Sequence, residues 1–208
     1  MEIVLHIGTD KTGTSSIQAT LSKSREKMLE YGVLYPSLRH SGMNNNFLVT
    51  GFQSSEKLPR EYKSRFDRGK LSLPLNFKQA WSDLRDQCIS VNPKKVVLSG
   101  EYLGSMDRVA SEKFIAELIN LTESSSPIKV VIYVRRPSSH YSSSLQQIIK
   151  ASQNIPKPSS WRYKFKPTII KWLDFNSISV DVNIFDKKYL KSGNVVFDFC
   201  SKYIAQNI

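Results

Sequence analysis

The sequence predicts an α/β fold, a three-layer αβα arrangement around a central parallel sheet. Three observations predict it. Short apolar runs alternate with segments of helical spacing, the pattern of parallel strands joined by crossover helices. Two of the runs, Val96–Leu98 and Val130–Val134, are apolar on both faces, as central parallel strands must be. The 208 residues, 40% hydrophobic and 23% charged, suit one soluble domain. They show neither an internal repeat nor a linker.

In chain order, Ile3–Ile7 is a short apolar run closed by Gly8, read as a strand. Residues 15–30 place Ile17, Leu21, Met28 and Leu29 on one helical face. Residues 32–70 are polar and turn-rich, so loops and short helices are expected there. Residues 74–91 return to helical spacing through Phe77, Trp81, Leu84 and Cys88, and Asn92-Pro93 ends that helix. Lys95–Ser99 is a second strand, closed by Gly100. A helix follows over 108–122, with Phe114, Leu118 and Leu121 aligned.

Lys129–Val134 is the strongest strand. Pro137 starts the next helix, whose apolar face is Tyr141, Leu145, Ile148 and Ile149. Residues 166–175 read as a helix and 195–205 as the last one. Between them Ser179–Phe185 alternates, with Val180, Val182 and Ile184 on one side, as a half-exposed strand does.

Composition narrows the function classes. Two cysteines, Cys88 and Cys200, exclude a disulfide scaffold and a structural zinc cluster, and their apolar neighbours predict buried free thiols. Nine Gly and nine Pro exclude collagen-like or low-complexity sequence. No apolar run reaches the ~18 residues of a membrane span. The opening MEIVLHIG runs straight into a strand and lacks the features of a secretory signal, which predicts a cytoplasmic protein. Thirty Lys and Arg against eighteen Asp and Glu give a net charge of +12, a field that attracts polyanions.

The stretch Gly8-Thr9-Asp10-Lys11-Thr12-Gly13-Thr14-Ser15 lies between a strand and a helix, the setting a phosphate-binding loop requires. Glycines allow the tight turn, and the freed amide groups and helix N-terminus then face an anion. The hydroxyls of Thr12, Thr14, Ser15 and Ser16 are expected to add donors. The glycines are spaced as in a nucleoside triphosphate loop, but position 14 is threonine where that motif has lysine. The lysine is Lys11, inside the loop, which fits a nucleoside triphosphate with Mg²⁺ less well. A second cluster follows the strongest strand. Arg135 emerges at its carboxyl end, where open parallel sheets bind ligands. Ser143, eight residues on, completes an arginine–hydroxyl clamp for a terminal phosphate.

With both motifs in place the chain resembles the sulfotransferase family, which uses 3′-phosphoadenosine 5′-phosphosulfate. Lys11-Thr12-Gly13-Thr14-Ser15 is similar to its first signature. Arg135, Pro137 and Ser143 are similar to its second. His6-Ile7-Gly8 before the loop is similar to the openings of bacterial carbohydrate sulfotransferases. The resemblance covers residues 3–150 and, more loosely, 165–200. It implies a P-loop-containing nucleoside triphosphate hydrolase-like fold over 1–208. It implies that Lys11 and residues 12–16 hold the 5′-phosphosulfate, and that Arg135 and Ser143 hold the 3′-phosphate. The product is adenosine 3′,5′-bisphosphate, and no metal is expected. Asp10 departs from the pattern by adding an anion to the loop. The family's late basic loop is either absent, in a domain shortened at its C-terminus, or replaced by the lysine-rich stretch 157–171.

Sulfuryl transfer needs a base for the acceptor proton and a cation for the leaving phosphate. Lys11 suits the second role. Glu101, just past the strand ending at Ser99, is the first candidate base, and His40 the second. His6 is expected to be structural and His140 to lie on a helix surface. From Lys150 to Lys171 six basic residues and no acid interleave with Trp161, Tyr163 and Phe165. That alternation suits sugar stacking and anionic groups, and also single-stranded nucleic acid or a loop with one buried face. Asn44 to Asn46 are candidate sugar-hydroxyl partners. The expected acceptor is a carbohydrate or polysaccharide, with nucleic acid disfavoured. Two other readings stay open: a non-catalytic polyanion- or nucleotide-binding domain, and a nucleotide-dependent phosphotransferase.

Overall fold

The computed structural model describes all residues except 40, 59, 70–72, 123–125, 152–153, 164 and 205–208. Among them a five-stranded, all-parallel sheet runs in the order β2-β3-β1-β4-β5. The strands are β1 Glu2–Ile7, β2 Val33–Leu34, β3 Lys95–Gly100, β4 Ile128–Val134 and β5 Ile178–Ile184. The helices are α1 Thr14–Lys23, α2 Arg25–Glu30, α3 Arg60–Asp67, α4 Leu73–Val91, α5 Glu101–Ser105, α6 Arg108–Leu121, α7 Pro137–Ala151, α8 Phe165–Leu173 and α9 Val195–Phe199.

β1 is central because its apolar run supplies two faces at once. Ile3, Leu5 and Ile7 pack with Trp81 and Leu84 of α4, Phe114 and Leu118 of α6 and Trp172 of α8. Val4 joins Val97, Val131 and Tyr133 under Ile17, Leu21, Met28 and Phe199 on the opposite face. Both faces of the sheet are therefore covered by helices, as its continuous apolar strands require. Pairing sets Ile3 opposite Val96 on one side and Ile128 on the other.

Several boundaries differ from expectation for physical reasons. The helix expected over 15–30 bends at Ser24 into α1 and α2, where the Arg25 guanidinium bonds back to Ser22 and to the Tyr35 carbonyl. β2 has only two residues, too few for a period, and exists by pairing with β3. α6 starts at an Asp107 cap, whose carboxylate accepts from the Ala110 N–H at 2.9 Å. The last helix is α9, opened by an Asn194 cap and widening into a π-helical turn at Cys200–Ile204. β5 is a sheet-edge strand and is half-exposed as expected, but the apolar side its alternation predicts is covered only at Val180. Val182 and Ile184 are exposed, while Asp181 and Asn183 both bond the Tyr203 hydroxyl. Both cysteines are free thiols, Cys200 buried and Cys88 half-buried.

His6 is structural, as expected. Its ring is fully buried, shares a 2.8 Å hydrogen bond with the Ser99 hydroxyl, and packs by Phe199. Burial pushes its pKa down to about 3. The folded protein therefore keeps it neutral where the unfolded chain, with a histidine near 6.5, takes up a proton. Its contribution is intact above pH 6.5 and lost as pH falls toward 3. His6→Gln should lose roughly 2 kcal/mol less unfolding free energy than the parent between pH 6.5 and 4.5. Urea denaturation at the two pH values measures this, and equal losses would place the acid sensitivity elsewhere.

Candidate functional site

The loop after β1 is built by its own side chains. The Gly8 N–H still pairs with the Gly100 carbonyl at 3.3 Å, and the chain then turns into α1. Lys11 and Gly13 take left-handed φ values of 62° and 78°. A side chain on Gly13 would meet Val195 at 2.6 Å, and one on Gly8 would meet Thr14 at 2.4 Å. Both glycines are thus required by close packing.

The hydroxyls expected to greet an anion divide into two sets. Thr12 and Thr14 are buried, and both donate to the Thr9 carbonyl, at 2.7 and 3.3 Å. They brace the loop instead of offering donors, because an inward carbonyl left bare would cost more than an exposed hydroxyl gains. Ser15 and Ser16 are exposed. The Ser16 and Ile17 N–H groups both pair with the Gly13 carbonyl, but no side chain caps the N–H groups ahead of them, and no acidic side chain in the first turn offsets the positive end of the α1 dipole.

A cleft of about 740 Å³ opens here, lined by Asp10, Lys11, Gly13, Thr14, Ser15, Glu101 and residues of α7 and the following loop. It lies at the carboxyl ends of β1 and β3, where parallel sheets place ligands. Lys11 is half-buried and makes no ion pair among the described residues. Glu101 starts α5. Burial pushes its carboxyl above the usual range, Asp10 pushes it further, and Lys11 opposes both.

α5 is fixed at both ends. The Asn46 carbonyl oxygen accepts from the Tyr102 N–H at 3.2 Å. At the other end the half-buried Lys171 ammonium donates to the carbonyls of Gly104 and Met106 and lies over the Trp172 ring. Burial lowers Lys171 to about 8. Asn45 exchanges two bonds with Ser99, donating from its N–H and accepting at Oδ1, both 2.8 Å. The run Asn44 to Asn46, expected to meet sugar hydroxyls, therefore has its Asn45 and Asn46 oxygens committed to backbone. Asn44 and Asn46 nevertheless line a second cavity of about 380 Å³ that shares Ser15 and Glu101 with the first.

Arg135 turns toward the loop. Its guanidinium donates to the Lys11 carbonyl at 3.1 Å and sits over the Phe185 ring, while Arg136 is exposed. Ser143 is half-buried on α7. Its neighbour Ser144 is the serine that lines the cleft. The expected apolar face of α7 is only partly covered, with Ile149 exposed, because that helix walls the cleft with Gln147 and Ile148. His40 lies outside the described residues.

One expectation is corrected. His140 is no surface residue: it is 4% exposed and stacks on Tyr163 with ring centres 3.8 Å apart. Its Nδ1 accepts from the Trp161 indole at 3.3 Å, and burial lowers its pKa. Trp161, Tyr163 and Phe165 are each half-buried and continue a ladder of rings from Tyr141 and His140, with Arg162 turned to solvent. Trp161 also lines the cleft, and Tyr163 and Phe165 line a smaller cavity beside Gly8 and Thr9.

Tyr163 and Thr9 carry roles that no motif marked. The Thr9 hydroxyl donates to the Tyr133 carbonyl at 2.5 Å. The Tyr163 hydroxyl donates to Thr9 and accepts from the Arg135 N–H. The two join the loop, β4 and the ring ladder, through contacts spanning 28, 124 and 154 residues that no local spacing encodes.

No protein-family model matches the chain, and no curated protein matches it.

Proposed function

We propose that this protein is a sulfotransferase, moving a sulfuryl group from 3′-phosphoadenosine 5′-phosphosulfate to a hydroxyl of a carbohydrate acceptor. The observation that carries the reading is a single cleft joining Lys11, the open N-terminus of α1 and Glu101. An anion, a cation to steady a leaving phosphate and a carboxylate base are what in-line sulfuryl transfer needs.

In this reading the start of α1, with Ser15, holds the phosphosulfate. Lys11 neutralises the bridging oxygen as the bond to sulfur breaks, and Glu101 removes the acceptor proton. Arg135 offers its remaining N–H groups to the 3′-phosphate, and Ser143 or its cleft-lining neighbour Ser144 on α7 supplies the hydroxyl. The inward-turned Thr14 hydroxyl, in the place a triphosphate loop gives to lysine, weighs against phosphotransfer.

Calorimetric titration tests the nucleotide side. Adenosine 3′,5′-bisphosphate should bind without metal and, at a hundredfold its dissociation constant, stabilise the fold by about 2.7 kcal/mol. AMP should bind far more weakly. Equal binding of the two would remove the 3′-phosphate clamp, and tighter binding of ATP·Mg²⁺ would favour a phosphotransferase.

A further inference from the structure

We infer that the 380 Å³ cavity beside the nucleotide cleft is the acceptor site, and that its acceptor is an uncharged glycan. The inference rests on the sulfotransferase reading and adds to it the class of acceptor. The cavity shares Ser15 and Glu101 with the nucleotide cleft, so a molecule in it meets both the loop and the base.

Its chemistry is amide, hydroxyl and aromatic. Gln18, Asn44 and Ser41 line it with Tyr62 and Tyr102, whose rings meet edge to face at 5.5 Å. The Ser41 hydroxyl is the decisive group. The residue is 6% exposed, yet its oxygen has no hydrogen-bond partner among the described residues. Buried hydroxyls are almost always paired, and a sugar hydroxyl supplies the missing partner.

The charge pattern selects the class. In a chain of net charge +12, no Lys or Arg among the described residues lines this cavity, and its one charged side chain is Glu101. The nearby Arg39 is bound to Asp83 at 2.9 Å. A uronate or sulfated sugar in the cavity would meet the Glu101 carboxylate with no cation among the described lining residues, Lys11 standing on the nucleotide side, whereas a neutral sugar meets groups matched to its hydroxyls and ring faces.

The transfer balances on these groups. The acceptor hydroxyl gives its proton to the Glu101 carboxylate as its oxygen bonds to sulfur. The bond from sulfur to the bridging phosphate oxygen breaks, and adenosine 3′,5′-bisphosphate leaves with that electron pair.

The test measures binding of cellotetraose, mannotetraose and galactotetraose, against tetragalacturonate, to protein saturated with adenosine 3′,5′-bisphosphate. Bisphosphate affinity is measured separately. At least one neutral tetrasaccharide should bind tenfold or more tighter than tetragalacturonate. Ser41→Ala should weaken it several-fold with bisphosphate affinity unchanged, and Asn44→Lys should shift preference toward the uronate. Equal or tighter binding of tetragalacturonate, or no binding of any tetrasaccharide while the bisphosphate still binds, overturns the inference. Failure of the bisphosphate to bind, with neutral preference retained, supports the glycan site and overturns the sulfotransferase reading instead.

Discussion

Glu101→Gln should lower sulfuryl transfer about 10²–10⁴-fold, the usual loss on removing a general base, while bisphosphate affinity stays nearly unchanged. The substitution keeps shape and removes only the capacity to take a proton. The backbone around it is held independently, by Asn46 at the start of α5 and Lys171 at its end. The pH profile adds a second signature. Burial and Asp10 both raise the Glu101 pKa, so transfer should fall on the acid side above the ordinary carboxylate range. Asp10→Asn should move that limb to lower pH, because it removes the charge that disfavours ionisation. Labelled phosphosulfate and a working acceptor measure both effects. Undiminished transfer by Glu101→Gln would pass the role of base to His40.

Lys11→Ala should cost about 10²–10³ in turnover, the scale for losing one preorganised electrostatic contact to developing charge. Its effect on bisphosphate binding should be much smaller, since the negative charge on the bridging oxygen grows only as the bond breaks. The loop should survive the change. What anchors it here is the Lys11 carbonyl, held by Arg135, together with the Thr12 and Thr14 hydroxyls on Thr9. Single-turnover rates compared with bisphosphate dissociation constants separate the two effects. Equal losses in both would make Lys11 a ground-state anchor only.

β1, β3 and β4 were legible from residue order because central parallel strands are apolar on both faces, a signal needing no partner. The loop was legible as a loop because glycine spacing reports backbone geometry directly. Which way its threonines point was not, since the Thr9 carbonyl decides that. His140 read as helix surface because its partners, Trp161 and Tyr163, lie more than twenty residues away. Asn45 looked like a ligand group for the same reason: its tie to Ser99 spans 54 positions. Glu101 could be placed from sequence at the end of a strand. Its neighbours across the cleft, Asp10 and Lys11, come together only when β1 and β3 align.

That alignment carries a cost in time. Glu2 lies opposite Lys95 and Ile3 opposite Ile128, so β1 is made 93 and 125 positions ahead of its two partners. At about 5–20 residues per second on a ribosome, the run Ile3–Ile7 waits roughly 6–25 s for its second neighbour. Non-local parallel pairing is also among the slower steps a folding chain takes. Until β3 is made a five-residue apolar segment has both edges open to strangers, and until β4 is made one edge stays open, which makes it the natural point for chaperone capture or misassembly. The strand most exposed during synthesis is the one that delivers Gly8, and with it the loop on which the cleft depends.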